Sequence, residues 1–334
     1  MCYFSRPSMV MWEIMNKKWT EYSSHSDYVR SFFNTFISQH SGFQFTVAQK
    51  YDALYEIGVT WAQYDQIKME LESGRRGLHL ADINVMEYLA NSDRTTRSFS
   101  SLSEYRAYRN STLRPRNQAI VRSKLQEVKQ HCQKARSHYD RSGEKLILTF
   151  DIEAYEYNHD KMLEIGYIVA SVDGSGSPRL TEKRHFIIQE NLHHKNGDHC
   201  TDNRNGFRFG QSQTVPLQEA IASFREAVTR CTFLVAHSAH SDEDYLRKIG
   251  VDIAELGKEI MDTQLVEMQL EMTRPGYRSA NDRLFFRGLT RLLENYNVSF
   301  TQQDLHNAGC DAYYTTKVFL RQMGCSESVV NALT

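Results

Sequence analysis

Beyond residue 143 the sequence alternates short apolar runs with helical periodicity, and this alternation limits the chain to one class of fold. Runs typical of buried strands cover residues 146–150, 165–171, 185–188 and 232–236. Helical spacing of apolar residues covers 217–231, 242–250, 252–259, 289–296 and 311–323. Strands that alternate with helices predict an α/β layer fold with a central mixed β-sheet flanked by helices. The polar stretch 189–214 is long for a connector and predicts a functional loop or an ordered insertion.

The region before residue 143 has mainly helical periodicity. One predicted helix ends at Gly58, and another begins after Thr60, which is a suitable N-cap. The helix that ends at Gly58 covers 47–57, the other segments with helical spacing are 82–89 and 117–139, and 91–103 has the composition of an exposed linker. The sequence therefore predicts a mainly helical N-terminal region, 1–142, followed by an α/β domain, 143–334.

Charge is distributed unevenly along the 334 residues. Residues 1–150 carry 21 Lys and Arg against 15 Asp and Glu, whereas residues 151–334 carry 19 against 26. This asymmetry is typical of a protein that binds a polyanion and cations, although two differing surfaces produce the same balance. Six scattered cysteines, and no apolar stretch near the ~20 residues of a membrane span, predict a reduced intracellular protein without membrane association. We expect a cytoplasmic protein, with the nucleus and the mitochondrion left open.

Two acidic residues directly follow the first strand-like run. Alternate side chains of a strand share one face, so Asp151 and Glu153 project together. Two carboxylates this close repel each other unless a cation lies between them, and Mg²⁺ and Mn²⁺ prefer such ligands. Because the ends of strands often carry exposed acids, the pair taken alone is equally compatible with a solvated surface.

Two further motifs contain candidate ligands. Asp242 lies five residues after His237 and begins a helical run, in which Asp244 is a competing candidate. His306 and Asp311 place a base and a carboxylate near the N-terminus of one helix. A simpler explanation exists for each acid, because helix N-termini favour acidic capping residues.

The three motifs, taken in order, resemble those of the DEDDh 3′→5′ exonucleases of the ribonuclease H-like superfamily. The matching patterns are Asp151-x-Glu153, His237-x-x-x-x-Asp242-x-x-Tyr-Leu and His306-x-x-x-x-Asp311. Shorter matches are Glu164-Ile-Gly, in the second strand of that fold, and Asp262-Thr, after the second motif. The resemblance covers about residues 145–325 and implies a ribonuclease H-like domain.

The resemblance also implies a mechanism: two-metal hydrolysis of single-stranded nucleic acid, RNA in preference to DNA, to nucleoside 5′-monophosphates. Asp151, Glu153 and Asp311 would hold the first Mg²⁺ or Mn²⁺. Asp151 would bridge to the second ion, which Asp242 would support. His306 would be the general base, because imidazole titrates near neutral pH. Two alternatives remain: a catalytically weak RNA-binding adaptor that retains the fold, and a metal-dependent nuclease of another polarity or substrate, such as a DNA-proofreading activity.

A narrower similarity connects the chain with a fungal branch of these proteins. That branch includes the "good for full DEAD-box protein activity" proteins and an exonuclease that assists Argonaute in gene silencing, so an RNA-processing or silencing protein is implied as a partner. Tyr155 and Ser238 stand where Thr and Asn are commoner, which puts the seating of the 3′ end in doubt. The segments that carry the similarity are Phe150-Asp-Ile-Glu-Ala-Tyr-Glu, Asp202-Asn-Arg with Phe207-Arg-Phe-Gly-Gln-Ser, and His306-Asn-Ala-Gly.

The histidines and the cysteine of the 189–214 stretch are residue types that zinc accepts. Their spacing matches no usual zinc motif, and a loop that borders a substrate groove explains the stretch better. His237 and His240, which flank the second motif, are expected to make structural hydrogen bonds. The zinc candidates are His193, His194, His199 and Cys200.

The stretch 94–136 is strongly basic, with 11 Lys and Arg against two Glu. Tyr105 and Tyr108 lie between its arginines, and basic grooves with aromatic platforms suit single-stranded nucleic acid. A solvated helix face has the same composition. The predicted nucleic-acid contacts are Arg106, Arg109, Arg114 and Arg116.

Overall fold

A computed structural model describes residues 8–49, 54–83, 87–88, 94–140, 143–198, 200–273 and 286–334. The described chain divides into two compact units, one up to residue 124 and one from residue 125 onward. No helix in these described ranges is long and apolar enough to cross a membrane.

The N-terminal unit contains a β-sheet together with its helices. Its described strands are β1 (Ser8–Met11), β2 (Phe45–Gln49), β3 (Tyr55–Val59), β4 (Glu87–Tyr88) and β5 (Thr95–Arg97). Its helices are α1 (Trp12–Tyr22), α2 (Ser26–Gln39), α3 (Trp61–Ser73), α4 (Leu102–Tyr108) and the first part of α5 (Arg114–Tyr139). The strands pair antiparallel in the order β4-β1-β3-β2-β5. The core is aromatic, and the Trp12 ring lies 5.0 Å from the rings of both Phe33 and Phe45.

The sheet corrects part of the sequence analysis. The helix predicted over 47–57 is wrong, because residues 47–49 belong to β2 and 55–57 to β3, while 50–53 lie outside the described residues. Gly58 does not end a helix but lies in β3, where a Cβ atom would stand 2.6 Å from the carbonyl oxygen of Val10. Cross-strand packing decides the conformation here, and local spacing of apolar residues does not reveal it. By contrast, Thr60 caps α3 as predicted, in a capping box with Gln63.

Three shorter predictions also differ from the structure. Residues 87–88, predicted as part of a helix over 82–89, form β4, while 84–86 and 89 lie outside the described residues. The predicted linker over 91–103 contains β5 and the start of α4. Residues 252–259 form turns instead of a helix.

The C-terminal unit begins earlier than the sequence boundary at 142/143. The second half of α5 belongs to this unit, because Ala135 and Tyr139 share an apolar cluster with Ile147 and Phe319. The apolar stripe of a long helix has the same sequence pattern whichever domain the helix packs against. Periodicity alone therefore did not locate the domain boundary.

A mixed sheet forms the centre of the C-terminal unit. Its strands in the described residues are β6 (Lys145–Tyr155), β7 (Asn158–Val172), β8 (Pro178–Ile188), β9 (Ser212–Val215), β10 (Phe233–Ala236) and β11 (Ile260–Asp262). The helices are α6 (Leu217–Arg230), α7 (His240–Lys248), α8 (Thr263–Thr273), α9 (Leu289–Asn295), α10 (Ala308–Gln322) and α11 (Glu327–Asn331). The strand order is β11-β10-β6-β7-β8-β9, with β7 antiparallel to both neighbours and the remaining pairs parallel. This α/β arrangement confirms the predicted ribonuclease H-like fold.

Strand β6 separates two apolar layers. Leu148, Phe150 and Ile152 face the cluster formed with α6 and α7, whereas Ile147 belongs to the cluster that includes α10. Because side chains alternate along a strand, Asp151 and Glu153 lie on the α10 side. The fold thereby turns both acids toward the helix that carries Asp311.

Candidate active site

Three carboxylates converge where the end of β6 meets the first turn of α10. Asp151 and Glu153 come from the strand, and Asp311 comes from the helix. One oxygen of each carboxylate lies within 4.8 Å of the others. Asp311 is buried and the two strand acids are half-buried, so solvent screens their mutual repulsion poorly.

The cluster favours protonation when no cation is present. Burial, followed by the charge of Glu164, raises the pKa of Asp151 to about 7. Burial and the neighbouring acids also raise the pKa values of Glu153 and Asp311 well above their ordinary range. A bound cation would remove this cost by compensating the negative charges.

The unpaired oxygens of the cluster fit a divalent ion. Among the described residues, Asp151 Oδ2 and Asp311 Oδ1 are buried and have no hydrogen-bond partner. A buried carboxylate oxygen without a partner is costly, and hard cations such as Mg²⁺ and Mn²⁺ take oxygen ligands of this kind. Asp151, Glu153 and Asp311 could therefore hold such an ion.

Asp242 interacts electrostatically with Asp151, whereas Asp244 is engaged with other residues. Asp242 lies in the first turn of α7, is 4% exposed and accepts a hydrogen bond from the backbone N–H of Ile152. Burial, then the charge of Asp151, raises its pKa well above the ordinary range. Asp244 instead pairs with Arg247 at 2.7 Å and lies 3.7 Å from His240. These contacts favour Asp242 over Asp244 as the acid that belongs with Asp151.

Asp262 stabilises the turn that leads into α7 by hydrogen bonds to its backbone. Its carboxylate accepts hydrogen bonds from the N–H groups of Ser238 and Ala239, each at 3.0 Å. Ser238 has a φ of 60°, in the left-handed region that favours glycine and asparagine. His237 Nδ1 lies 2.9 Å from the Thr263 hydroxyl, which agrees with the structural role expected for it.

His306 lies in the loop before α10, with its side chain exposed. Its backbone has a φ of 61°, and its N–H donates to Asp311 Oδ2 at 3.0 Å. A ring nitrogen lies within 4.8 Å of a Glu153 oxygen. Partial desolvation of the ring lowers the pKa of His306, so the imidazole is neutral and able to accept a proton at neutral pH.

The insertion over 189–214 supports this loop, a function that the sequence analysis did not identify. Asn203 donates from Nδ2 to the carbonyl oxygen of Leu305 at 2.5 Å, and Arg208 pairs with Asp304 at 3.0 Å. Asn307, the N-cap of α10, donates to the carbonyl oxygen of Asn203 at 2.9 Å. The polar stretch is therefore an ordered insertion that holds the residues on both sides of His306.

A buried pair beneath the site was also missed. His185 Nε2 lies 2.7 Å from Glu164 Oε2, and both side chains are almost fully buried. The same Glu164 oxygen accepts from the backbone N–H of Ala308 at 3.2 Å, at the start of α10. The Glu164-Ile-Gly motif pointed to the strand, but only the paired register, with Glu164 opposite Glu153, shows that its carboxylate faces the site.

The zinc candidates of the insertion do not form one group. The rings of His193 and His194 lie 4.0 Å apart, and His194 stacks on Tyr155 at 4.6 Å. His199 lies outside the described residues. Cys200 lies beside a different histidine, with its Sγ 3.4 Å from Nδ1 of His306. Within the described chain, the proximity expected for a shared ion is found instead between Cys200, His306 and Glu153.

The basic stretch is partly engaged in contacts within its own unit. Arg109 pairs with Glu13 at 3.1 Å, and Arg116 donates to the hydroxyl of Tyr55 at 2.7 Å. Tyr105 is 2% exposed, so the expectation that it serves as a stacking platform is wrong. The side chains of Arg106, Arg109, Arg114 and Arg116 are exposed.

The fold and the acidic cluster define a ribonuclease H-like domain of the DEDDh type. The family model described as "DNA polymerase III subunit epsilon-like, C-terminal domain" matches residues 146–322. The chain belongs to this DEDDh family. Its members typically use divalent metals, in agreement with the acidic cluster.

Curated relatives are similar over about half of the chain. An uncharacterized nucleolar protein of Schizosaccharomyces pombe is 29% identical over 179 residues, which cover 53% of this chain and 68% of that protein. An uncharacterized protein of Saccharomyces cerevisiae is 26% identical over 208 residues, 54% of this chain and 41% of that protein. The S. cerevisiae "Good for full DBP5 activity protein 2" is 25% identical over 206 residues, 54% of this chain and 36% of that protein. The chain thus spans less than half the length of the last two.

Proposed function

We propose that this protein is a metal-dependent 3′→5′ exonuclease that hydrolyses single-stranded nucleic acid, preferably RNA, to nucleoside 5′-monophosphates. The observation that carries the proposal is the convergence of Asp151, Glu153 and Asp311. Among the described residues, Asp151 and Asp311 each have a buried carboxylate oxygen without a hydrogen-bond partner. The other two proposed active-site residues are Asp242 and His306. Asp242 interacts electrostatically with Asp151, and a ring nitrogen of His306 lies within 4.8 Å of a Glu153 oxygen.

The roles of these residues follow from their positions. Asp151, Glu153 and Asp311 would hold one Mg²⁺ or Mn²⁺ ion, and Asp151 with Asp242 would hold the other. When bound, the two ions would lower the pKa of water and stabilise the charge that develops on the phosphate. Nδ1 of His306 faces Cys200, so Nε2 is the nitrogen that would take the proton from the attacking water.

The preference for RNA comes from the resemblance to the fungal branch, and two observations that do not depend on the acids support a nucleic-acid substrate and a protein partner. The basic side chains Arg106, Arg109, Arg114 and Arg116 are exposed and suit a phosphate backbone. The name of one relative refers to the activity of another protein, DBP5. We propose accordingly that the chain acts on RNA together with a protein of RNA processing or silencing.

The test is hydrolysis of 5′-labelled single-stranded RNA and DNA in the presence of Mg²⁺, Mn²⁺ or a chelator. Wild type should shorten the labelled strand stepwise from its 3′ end. It should release nucleoside 5′-monophosphates only when metal is present. The rate of Asp151→Ala should be lower than that of the wild type by at least about 100-fold. Asp244 is a matched acid outside the cluster, so Asp244→Ala should keep the wild-type rate.

Shortening that persists in Asp151→Ala or in chelator would overturn the proposal. Binding of RNA without shortening in any condition would favour the alternative, an adaptor that retains the fold. A consistently faster reaction on DNA would contradict the RNA preference alone.

A further inference from the structure

The nuclease chemistry proposed above gives the thiol of Cys200 no step of its own, although the thiol lies beside the proposed base. Its Sγ is 3.4 Å from Nδ1 of His306. One oxygen of Glu153 completes a group in which each of the three atoms lies within 4.8 Å of the others. Sulfur, nitrogen and oxygen ligands from three separate parts of the chain therefore meet at one point.

The position of Cys200 is built into the insertion by a buried anchor. Glu156 is 3% exposed, and its carboxylate accepts from the backbone N–H groups of Gly197 at 3.2 Å, Asp198 at 3.1 Å and Cys200 at 3.1 Å. The backbone N–H of Glu156 donates in turn to Asn196 Oδ1 at 2.9 Å. Four hydrogen bonds thus fix this segment to Glu156, the residue that directly follows β6.

The geometry fits zinc better than the ions proposed for catalysis. In a tetrahedral zinc site, a thiolate sulfur at ~2.3 Å and an imidazole nitrogen at ~2.0 Å stand about 3.5 Å apart, close to the separation of Cys200 and His306. Mg²⁺ takes oxygen ligands and avoids thiolate, whereas Zn²⁺ accepts all three ligand types. Three protein ligands leave a fourth position for water.

We propose that Glu153, Cys200 and His306 form an inhibitory Zn²⁺ site. This inference rests on the proposed function for its consequence, because Glu153 is one of the acids that would hold a catalytic ion and His306 is the proposed base. Zinc at this site would withdraw both residues at once. The thiol would give up its proton to solvent on binding, and no oxidant or reductant is needed.

The binding test uses full-length protein and metal alone. Co²⁺, a spectroscopic substitute for Zn²⁺, should give a thiolate-to-cobalt charge-transfer absorption that Zn²⁺ displaces. Because even the loss of a hydrogen-bond partner of a ligand costs about 10–100-fold in affinity, Cys200→Ser should raise the Kd for Zn²⁺ at least ~100-fold and abolish the band. Cys325→Ser is the matched control, since Cys325 is also half-buried and lies beyond the far end of α10.

The activity test measures RNA hydrolysis in excess Mg²⁺ while free Zn²⁺ is raised. Wild type and Cys325→Ser should be inhibited, and Cys200→Ser should keep its rate at zinc concentrations that stop the wild type. An unchanged cobalt band, or equal zinc inhibition in Cys200→Ser, would overturn the zinc site. If no variant hydrolyses RNA but the cobalt band depends on Cys200, the zinc site stands and the proposed nuclease function fails.

Discussion

At the scale of single residues, Asp151 opposes folding when no cation is bound. Its pKa in the folded state is raised to about 7, mainly by burial, from an ordinary value of 3.8. A raised carboxyl pKa means that the folded state holds a proton that the unfolded state releases, so stability falls as the pH rises through this range. The residue is retained where it costs stability, which is typical of a functional site.

We therefore expect Asp151→Asn to be more stable than the wild type in chelator at pH 8. The gain should be about 1–3 kcal/mol, or several degrees in Tm, because the amide removes a buried charge without changing shape. The same variant should lose both activity and the Tm increase that Mg²⁺ produces. Thermal unfolding with and without Mg²⁺ measures this, with Asp244→Asn as control. A lower Tm of Asp151→Asn than of the wild type in chelator would contradict the prediction. It would show that the Asp151 carboxylate makes a stabilising interaction in the folded protein.

His237 gives the fold an acid-sensitive component with the opposite sign. Burial lowers its pKa to about 4 from 6.5, so the unfolded state binds a proton that the folded state refuses, and stability is lost as the pH falls below about 6.5. Between pH 8 and pH 5 this residue should lower the free energy of unfolding of the wild type by about 2 kcal/mol. The variant His237→Asn should not show this loss. Urea unfolding of both proteins at the two pH values measures the difference. Equal losses would mean that the ring is hydrated in the folded state.

At the scale of elements, the approach of α10 to β7 decides the geometry of the site. Gly166 stands opposite Asp151 in the strand pair, and a Cβ atom there would lie 2.1 Å from the carbonyl carbon of Ala308. That neighbour is backbone and cannot rotate away. The close contact brings the first turn of α10, with Asp311, onto the carboxyl end of β6.

Gly166→Ala should accordingly displace the start of α10 and destabilise the domain by about 2–4 kcal/mol. Activity should fall further than the folded fraction, because both His306 and Asp311 move away from β6. Gly174→Ala is the control, since nothing lies within 4 Å of a Cβ atom at that turn. Chemical unfolding and the rate per folded molecule give the two quantities. Full activity in Gly166→Ala would refute the close-packing argument.

At the scale of the whole molecule, the basic stretch belongs to a part of the chain that the family match does not cover. Arg106 is exposed on α4, whereas Arg109 is engaged with Glu13, so Arg106 is the cleaner test of nucleic-acid contact. A long-range electrostatic role would appear in the salt dependence of binding.

Arg106→Glu should weaken RNA binding uniformly across sequences and reduce the slope of log Kd against log salt by about one. Arg76→Glu, at an exposed position after α3, provides the control for net charge. Fluorescence anisotropy with labelled single-stranded RNA at several salt concentrations measures both variants. An identical slope in the two variants would assign the stretch to solvated surface.

The sequence by itself determined the α/β class of the C-terminal part and the order of its DEDDh motifs. Both follow from local rules: a strand puts Asp151 and Glu153 on one face, and a helix N-terminus accommodates Asp311. The same local rules failed over 47–57, because cross-strand packing with an aromatic core outweighed helical spacing.

Only the tertiary structure decided which residues surround those acids. Asp242 is buried on α7 and interacts electrostatically with Asp151, whereas Asp244 pairs with Arg247. Cys200 reaches His306 across 106 positions, and Glu164 reaches Ala308 across 144. Contacts over such separations leave no periodic trace in a single sequence, because they depend on how β6, the insertion and α10 pack together.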